Sequence, residues 1–115
     1  ALMTRDHSML NDLEQQGSAM LADLLRDRIA HVITRCISAG CNAEPDVQVV
    51  EIQPGDVFLV CSDGLSDVLP HRDLETILRE NSPTEAHQAL VERAYVKGGT
   101  DNITAVVVAA PTYID

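Results

Sequence analysis

Two short amphipathic helices are predicted near the start of the chain. Ser8 can cap a helix from Met9 to Gln16, and Gly17 provides its stop. A second helix is expected from Met20 to Ile29, because its apolar residues recur on one side and its charged residues fall on the other. The charged residues of that second helix are Asp23, Arg26, Asp27 and Arg28.

Apolar stretches elsewhere in the chain predict strands. The stretch Val32–Ile37 contains β-branched residues and predicts a strand or an extended segment. Residues 47–52 alternate in character, and the turn sequence Gln53–Asp56 then predicts a β-hairpin into the strand Val57–Cys61. The stretch Ile103–Ala110 is continuously apolar, which is expected of a strand covered on both faces.

Three helices are predicted between the last two strands. The first runs from Leu65 to Leu69 and is closed by Pro70, and the second runs from Asp73 to Glu80. The third begins at Ser82–Glu85, which has the pattern of a capping box with proline at the first helical position, and it ends at Gly98–Gly99. Its predicted apolar face consists of Ala86, Ala89, Leu90, Ala94 and Tyr95.

These elements predict an α+β fold, in which helices pack against an antiparallel sheet. A chain of 115 residues that is 45% hydrophobic is one domain or part of one, with a modest core. The net charge of −10 argues against nucleic acid or an anionic membrane as a partner, since such surfaces need clustered Lys and Arg. Three cysteines and the lack of a long apolar run predict a reducing, cytoplasmic setting.

Two aspartates stand where predicted strands end. Asp63 follows the strand Val57–Cys61, and Asp101 follows a Gly-Gly turn just before the last strand. If such carboxylates converge, they raise each other's pKa unless a cation neutralises them, so a divalent metal and phosphate chemistry are indicated. The structural alternatives are a helix N-cap for Asp63 and a turn residue for Asp101.

Four segments follow one another along the chain: Thr4–Ser8, Ile33–Ser38, Ser62–Asp67 and Gly99–Thr104. In this order they resemble motifs of the metal-dependent protein serine/threonine phosphatases of the PP2C (PPM) family, and the bacterial type fits best. The resemblance implies an α-β-β-α sandwich. The N-terminal half of that family carries an Asp-Gly-x-Gly-Gly metal motif and a phosphate-binding arginine, and this sequence contains neither.

The resemblance implies how the chain is organised and what it needs. Residues 1–115 are expected to be the C-terminal part of a single phosphatase domain, with residues 8–30 as a helical segment like the mobile flap of bacterial members. The N-terminal half of the same domain is expected to be the partner that completes the site. The chain alone is therefore expected to be inactive.

The resemblance also implies a role for four aspartates. Asp63 and Asp101 would bind the same one of two core Mn²⁺ or Mg²⁺ ions, together with a bridging aspartate from the N-terminal half. Asp6 and Asp67 would join Asp63 around a weaker third ion, although a solvated carboxylate or a helix-entry residue is an open alternative for both. The implied reaction is hydrolysis of phosphoserine or phosphothreonine in proteins by a water that the metals make acidic.

Two other functions remain compatible with the sequence. One is a regulatory pseudophosphatase that kept the fold without the chemistry, and the other is a small acidic interaction module. Cys36 and Cys41 have the spacing C-x₄-C, but a structural zinc needs four ligands and the chain has no second pair. Cys61 is expected to be a small core residue of its strand.

Overall fold

The computed structural model describes residues 1–30 and 32–112, which divide into two compact units. The first unit spans Ala1–Gln48, and the second begins at Val49. None of the helices in these ranges is long and apolar enough to cross a membrane. The elements are α1 (Met9–Gln15), α2 (Ala19–Ile29), β1 (Val57–Cys61), α3 (Asp63–Ser66), α4 (His71–Glu80), α5 (Pro83–Val96) and β2 (Ala105–Ala109).

The first unit is built on the helix pair α1 and α2, as the sequence predicts. Ser8 caps α1, since its hydroxyl oxygen accepts a hydrogen bond from the backbone N–H of Asn11 at 3.2 Å. Gly17 follows α1 with a φ of +80°, a backbone conformation that residues with a Cβ rarely adopt. Two residues of α2 are buried, Ala22 completely and Ile29 almost completely.

The segment after α2 is extended rather than a regular strand. A single antiparallel bridge joins Ser8 to Ile33, and the N–H of Met9 donates to the carbonyl of Val32 at 2.8 Å. Of the two alternatives for Val32–Ile37, the extended segment is therefore the one observed. One bridge fixes the segment against the start of α1.

The second unit contains a two-stranded antiparallel sheet formed by β1 and β2. Val57 lies opposite Ala109, and Cys61 lies opposite Ala105. The helices α3, α4 and α5 lie between the two strands in sequence. Because the strands are antiparallel and Cys61 pairs with Ala105, the end of β1 and the start of β2 lie at the same edge of the sheet.

The hairpin predicted between residues 47–52 and β1 is wrong. Residues 47–52 form no strand, although the turn before β1 is present, with the N–H of Asp56 donating to the carbonyl of Gln53 at 3.1 Å. The reason is that neither side of the stretch becomes buried: Val49 on one side is 97% exposed, and Val50 on the other side is 43% exposed. Alternation favours pairing only where one face packs on a core.

The core of the second unit lies on one face of the sheet, beneath the helices. Leu65, Leu69, Leu90 and Ala94 form its centre, and none is more than 1% exposed. The partly buried residues that pack against this centre include Leu59, Cys61, Ala105 and Val107 from the strands and Leu74, Ile77 and Leu78 from α4.

The other face of the sheet is open in this chain. Val60 is 64% exposed, and Val106 and Val108 are each 52% exposed. The expectation that Ile103–Ala110 is covered on both faces is therefore wrong for the described residues. The continuous apolar run reflects one face packed on the helices and one apolar face that is largely exposed in the described residues, with Phe58 half-buried on it.

Three helix boundaries differ from the predicted ones by two residues or more, and one of them is the end of α3, which lies at Ser66 rather than Leu69. Helix α3 begins at Asp63 rather than Leu65, and α4 begins at His71 rather than Asp73. In both cases the residue just before the helix, Ser62 or Pro70, has an extended backbone. The predicted apolar face of α5 also differs, because Tyr95 is 74% exposed and does not belong to the buried face.

The ends of α5 largely follow the predicted signals. At the start, the Ser82 hydroxyl donates to the Glu85 carboxylate at 2.9 Å, a variant of the expected capping box. At the end, Gly98 has a φ of +90°, and the N–H of Gly99 donates to the carbonyl of Ala94 at 3.0 Å. This is a Schellman motif, and it directs the chain back toward β2.

Candidate metal centre

Two loops meet at the edge of the sheet where β1 ends and β2 begins, and Ser62 joins them. The backbone N–H of Ser62 donates to the carbonyl of Thr104 at 3.0 Å. Its hydroxyl accepts from the N–H of Thr104 at 3.0 Å and donates to the carbonyl of Asn102 at 3.1 Å. Three hydrogen bonds from one residue therefore fix the loop of Asp101 against the loop of Asp63.

Gly64 makes this close approach possible. A Cβ atom placed on Gly64 would lie 2.1 Å from the carbonyl oxygen of Asn102 and 3.5 Å from the Cβ of Asp101. Only a residue without a side chain can occupy this position while the two loops keep their contact. The Asp-Gly sequence thus combines an exposed carboxylate with the small residue that lets the second loop come near.

Asp63 and Asp67 lie on the short helix α3 and its end. Asp63 is the first residue of α3 and is exposed, and Asp67, also exposed, follows the helix one turn later. The N–H of Asp67 donates to the carbonyl of Asp63 at 2.8 Å. Residues four apart in a helical turn share a face, so both carboxylates project from the same side.

Asp101 lies in the loop before β2, beside Gly64. Its side chain is exposed, and its Oδ1 accepts a hydrogen bond from the N–H of Asn102 at 2.7 Å. This bond goes to the next residue, whereas the turn alternative calls for a bond to the backbone two residues on. It does not exclude metal binding, because an ionised carboxylate has further lone pairs on both oxygens.

Asp6 lies in the first unit, whereas Asp63, Asp67 and Asp101 lie in the second. It is exposed and precedes α1, and its backbone carbonyl accepts from the side-chain amide of Asn11 at 3.0 Å. The backbone of Asp6 is therefore fixed at the entry to the helix.

The donor set of the second unit fits part of the shell of a hard cation. Asp63, Asp67 and Asp101 offer only carboxylate oxygens, which Mg²⁺ and Mn²⁺ prefer. In residues 1–30 and 32–112, no Lys or Arg forms an ion pair with any of these three aspartates. In the same ranges, no three His, Cys, Asp or Glu side chains are close enough to enclose a metal ion. Within these ranges, the three carboxylates therefore do not form a complete metal shell by themselves.

Sequence reasoning assigned no part to the side chain of Ser62, which the structure places at the centre of the contact. A signal for it exists: a serine immediately after a strand has a hydroxyl short enough to bond with neighbouring backbone groups. The role expected for Gly64, close passage of the backbone, agrees with its packing against Asn102.

Comparison with known proteins gives a consistent result. Residues 4–103 match the family Protein phosphatase 2C. The chain is 33% identical over 108 residues to a putative protein phosphatase 2C-type of Streptococcus pyogenes, which covers 93% of this chain and 44% of that protein. It is 32% identical over 107 residues to a serine/threonine phosphatase of Listeria welshimeri, covering 92% of this chain and 42% of the relative.

Solved structures agree with the sequence relatives. The serine/threonine phosphatase of S. agalactiae superposes with a TM-score of 0.83 at 33% identity, covering 96% of this chain and 46% of that one. The catalytic domain of the phosphatase PstP, solved in complex with two manganese ions, gives a TM-score of 0.75 at 32% identity and covers 93% and 43% of the two chains. The chain thus spans less than half the length of each of these relatives.

Proposed function

Because the chain belongs to the protein phosphatase 2C family, we propose that it forms the C-terminal half of a bacterial-type phosphatase domain that removes phosphate from phosphoserine and phosphothreonine in proteins. The observation that carries the proposal is the contact between Gly64 and Asn102, which holds two exposed aspartates at one edge of the sheet. A structural turn alone needs no such contact between loops from different strands.

Asp63 and Asp101 are proposed to bind the same Mn²⁺ or Mg²⁺ ion. The donor chemistry supports this role, and so does the phosphatase PstP, a structural neighbour solved with two manganese ions. Asp67 and Asp6 are proposed to bind at a third, weaker ion. When bound, the ions supply a water of lowered pKa that can attack phosphorus at neutral pH. The residues of this chain hold that chemistry in place, and Ser62 keeps the two carboxylate loops at a fixed separation.

The proposed enzyme needs the remainder of its domain. The relatives are more than twice as long as the region they share with this chain, and three carboxylates from one chain are too few to enclose an ion. An N-terminal half is proposed to supply the bridging aspartate, so the 115 residues alone are expected to be inactive. Its substrates are proposed to be cytoplasmic phosphoproteins, with no role for nucleic acid or membranes.

The test is Asp101→Asn in the complete domain. The amide keeps the shape of the side chain and an oxygen for the N–H of Asn102, but it removes the negative charge. We expect Mn²⁺-dependent hydrolysis of a phosphopeptide to fall by orders of magnitude while the thermal midpoint changes little. Asp63→Asn should behave in the same way, and Asp67→Asn more mildly.

Glu80→Gln is the matched control, since it removes one exposed negative charge from the same unit at the end of α4. It should leave activity unchanged. If Asp101→Asn kept near-full activity with Mn²⁺, the ligand assignment would be wrong. Titration of Mn²⁺ separates the alternative function: a wild-type domain that binds the ion without hydrolysing phosphopeptides would be a regulatory pseudophosphatase.

A further inference from the structure

A tight turn in the first unit brings two cysteines into contact. The Sγ atoms of Cys36 and Cys41 lie 3.5 Å apart, and both residues are exposed. The turn between them is closed by the N–H of Cys41, which donates to the carbonyl of Ser38 at 3.1 Å. Gly40 has a φ of +82°, as the third residue of a type II turn requires. The backbone itself therefore places the two sulfurs together.

The turn is also anchored at its base. Arg35 donates from Nη1 to the carbonyl of Glu44 at 3.2 Å and to Oδ1 of Asp46 at 3.2 Å. Oδ2 of the same Asp46 carboxylate lies 2.6 Å from Nε2 of His7. These contacts hold the residues on either side of Cys36 and Cys41, so the approach of the sulfurs does not depend on their own contact alone.

The remaining gap is small for a covalent bond. A disulfide has a sulfur–sulfur distance of about 2.05 Å, so the two sulfurs must approach by about 1.5 Å. Because both side chains are exposed, rotation about their χ1 bonds can supply this movement without displacing a packed core. Exposure also gives small reagents access to either sulfur.

The neighbours of the Cys41 thiol favour its thiolate form. Hydrogen bonds from Ser38 first and Cys36 second lower the pKa of the Cys41 thiol below its ordinary value. The thiolate is the nucleophile in exchange with disulfides, and its fraction at neutral pH rises as the pKa falls. We assign the first attack to Cys41, and Cys36, whose Sγ lies 3.5 Å away, is placed to resolve the product.

We propose that Cys36 and Cys41 form a reversible disulfide by exchange with a low-molecular-weight disulfide of the glutathione type. In the first step the Cys41 thiolate attacks one sulfur of that disulfide, which breaks its S–S bond and releases one thiolate. In the second step the Cys36 thiolate attacks Cys41, forming the Cys36–Cys41 bond and releasing the second thiolate. The two cysteines are oxidised by two electrons, the reagent is reduced to two thiols, and the two protons pass to the released thiolates.

This couple fits a reducing compartment, where disulfides are transient and report on the redox state. It is independent of the phosphatase activity proposed above. In residues 1–30 and 32–112, no group of three His, Cys, Asp or Glu side chains that could hold a metal ion includes this C-x₄-C pair.

The experiment equilibrates the complete protein with reduced and oxidised glutathione at a series of ratios, quenches with acid, and digests with a protease that cleaves after glutamate. Cleavage after Glu51 separates Cys36 and Cys41 from Cys61, so the bond is assigned without ambiguity. We expect the peptide holding both cysteines to lose about 2 Da, the mass of two hydrogens, and to regain it with excess reduced glutathione. Cys36→Ser should instead keep a glutathione adduct on Cys41.

Two outcomes would overturn the proposal. One is a wild-type peptide that carries glutathione adducts at every ratio and never forms the internal bond. The other is cross-linked dimers on a non-reducing gel in place of the internal bond.

A second measurement is the rate at which trypsin cleaves after Arg35, next to Cys36: oxidation should slow it several-fold in the wild type and leave it unchanged in Cys41→Ser.

Discussion

The two units of the chain are stabilised by different interactions. In the second unit, Leu65, Leu69 and Leu90 are at most 1% exposed and pack between three helices and the sheet. In the first unit the buried apolar residues are Ala22 and Ile29, within the described part of the chain. Since burial of a large apolar side chain contributes about 1.5–3 kcal/mol, the second unit has the larger share of stabilising free energy.

Exposed polar contacts take a larger part in the first unit. Arg26 pairs with Glu14 at 2.9 Å and with Asp23 at 3.0 Å, and Arg5 pairs with Asp12 at 2.9 Å. Such exposed ion pairs contribute little, because water and salt screen them. The proposed metal ligands Asp63 and Asp101 therefore lie on the better-packed unit, whereas the predicted flap lies on the unit with less buried apolar surface.

The largest expected effect compares one leucine from each unit. Leu90→Ala removes a fully buried side chain from the centre of the second unit, and it should lower the free energy of unfolding of the complete protein by about 2–5 kcal/mol. Leu24→Ala in α2 removes a side chain that is 74% exposed and should change it by less than about 0.5 kcal/mol. Chemical denaturation of both variants measures the difference. Similar losses would mean that the first unit has a core of comparable weight.

A glycine from each unit gives the next comparison. Gly64→Ala places a Cβ 2.1 Å from the Asn102 carbonyl oxygen, so one loop must move, at a cost of about 1–3 kcal/mol, and activity should fall with it. Gly17→Ala meets no atom within 4 Å, and its cost of about 1 kcal/mol comes from the positive φ alone. Only Gly64→Ala should weaken Mn²⁺ binding. Unchanged Mn²⁺ affinity in Gly64→Ala would separate the loop contact from the metal site.

The elements that the sequence predicts well are those with local signals. Ser8 caps α1, Gly98 and Gly99 end α5, and the apolar spacing of α5 matches its buried residues Ala86, Leu90 and Ala94. These features depend on residues only a few positions apart. The Asp63 and Asp101 loops could also be located, because a strand that ends in a small polar turn presents its last side chains at a sheet edge. The apolar side predicted for α2 does not match, since Leu21 is 45% exposed and Leu24 is 74% exposed.

The errors came from contacts distant in sequence. Residues 47–52 alternate as a strand does, but pairing depends on a partner, and β1 pairs instead with β2. The run Ile103–Ala110 predicts a strand with two buried faces. Whether the second face is covered depends on other residues, and the pattern of the run carries no information about them. The contact between Ser62 and Asn102 joins positions 40 residues apart, and no local pattern reveals it.

Hydrogen exchange tests the difference between the units more directly. Amides in Met9–Arg28 should exchange faster than those in Val57–Cys61 and Ile103–Val108, because loosely packed elements open first. If residues 8–30 act as a flap over the metal site, Mn²⁺ should slow their exchange in the complete domain. Equal protection in all three segments, unchanged by Mn²⁺, would show that the helices are ordinary core elements.

The smallest effect compares one charged contact from each unit as the pH changes. Asp46 contacts His7 and Arg35, and Asp73 contacts Lys97 at 2.6 Å. Hydrogen bonds from His7 and from Lys97, respectively, are the main reason that the pKa of each carboxyl lies below its ordinary value of 3.8. A lowered pKa in the folded state means that each contact stabilises above pH 3.8 and that this contribution is lost as the pH falls through the folded pKa.

Asp46→Asn should therefore lower the amide protection of residues 32–46 at pH 7, and the difference from the wild type should vanish in acid well below pH 3.8. Asp73→Asn should change protection in α4 and α5 less, because Leu74, Ile77 and Leu78 hold α4 on the core whether or not the ion pair is present. Protection factors measured at low and high salt provide the check, since screening should remove most of the Asp46 effect. An equal loss in the two variants would contradict the view that polar contacts matter more in the first unit.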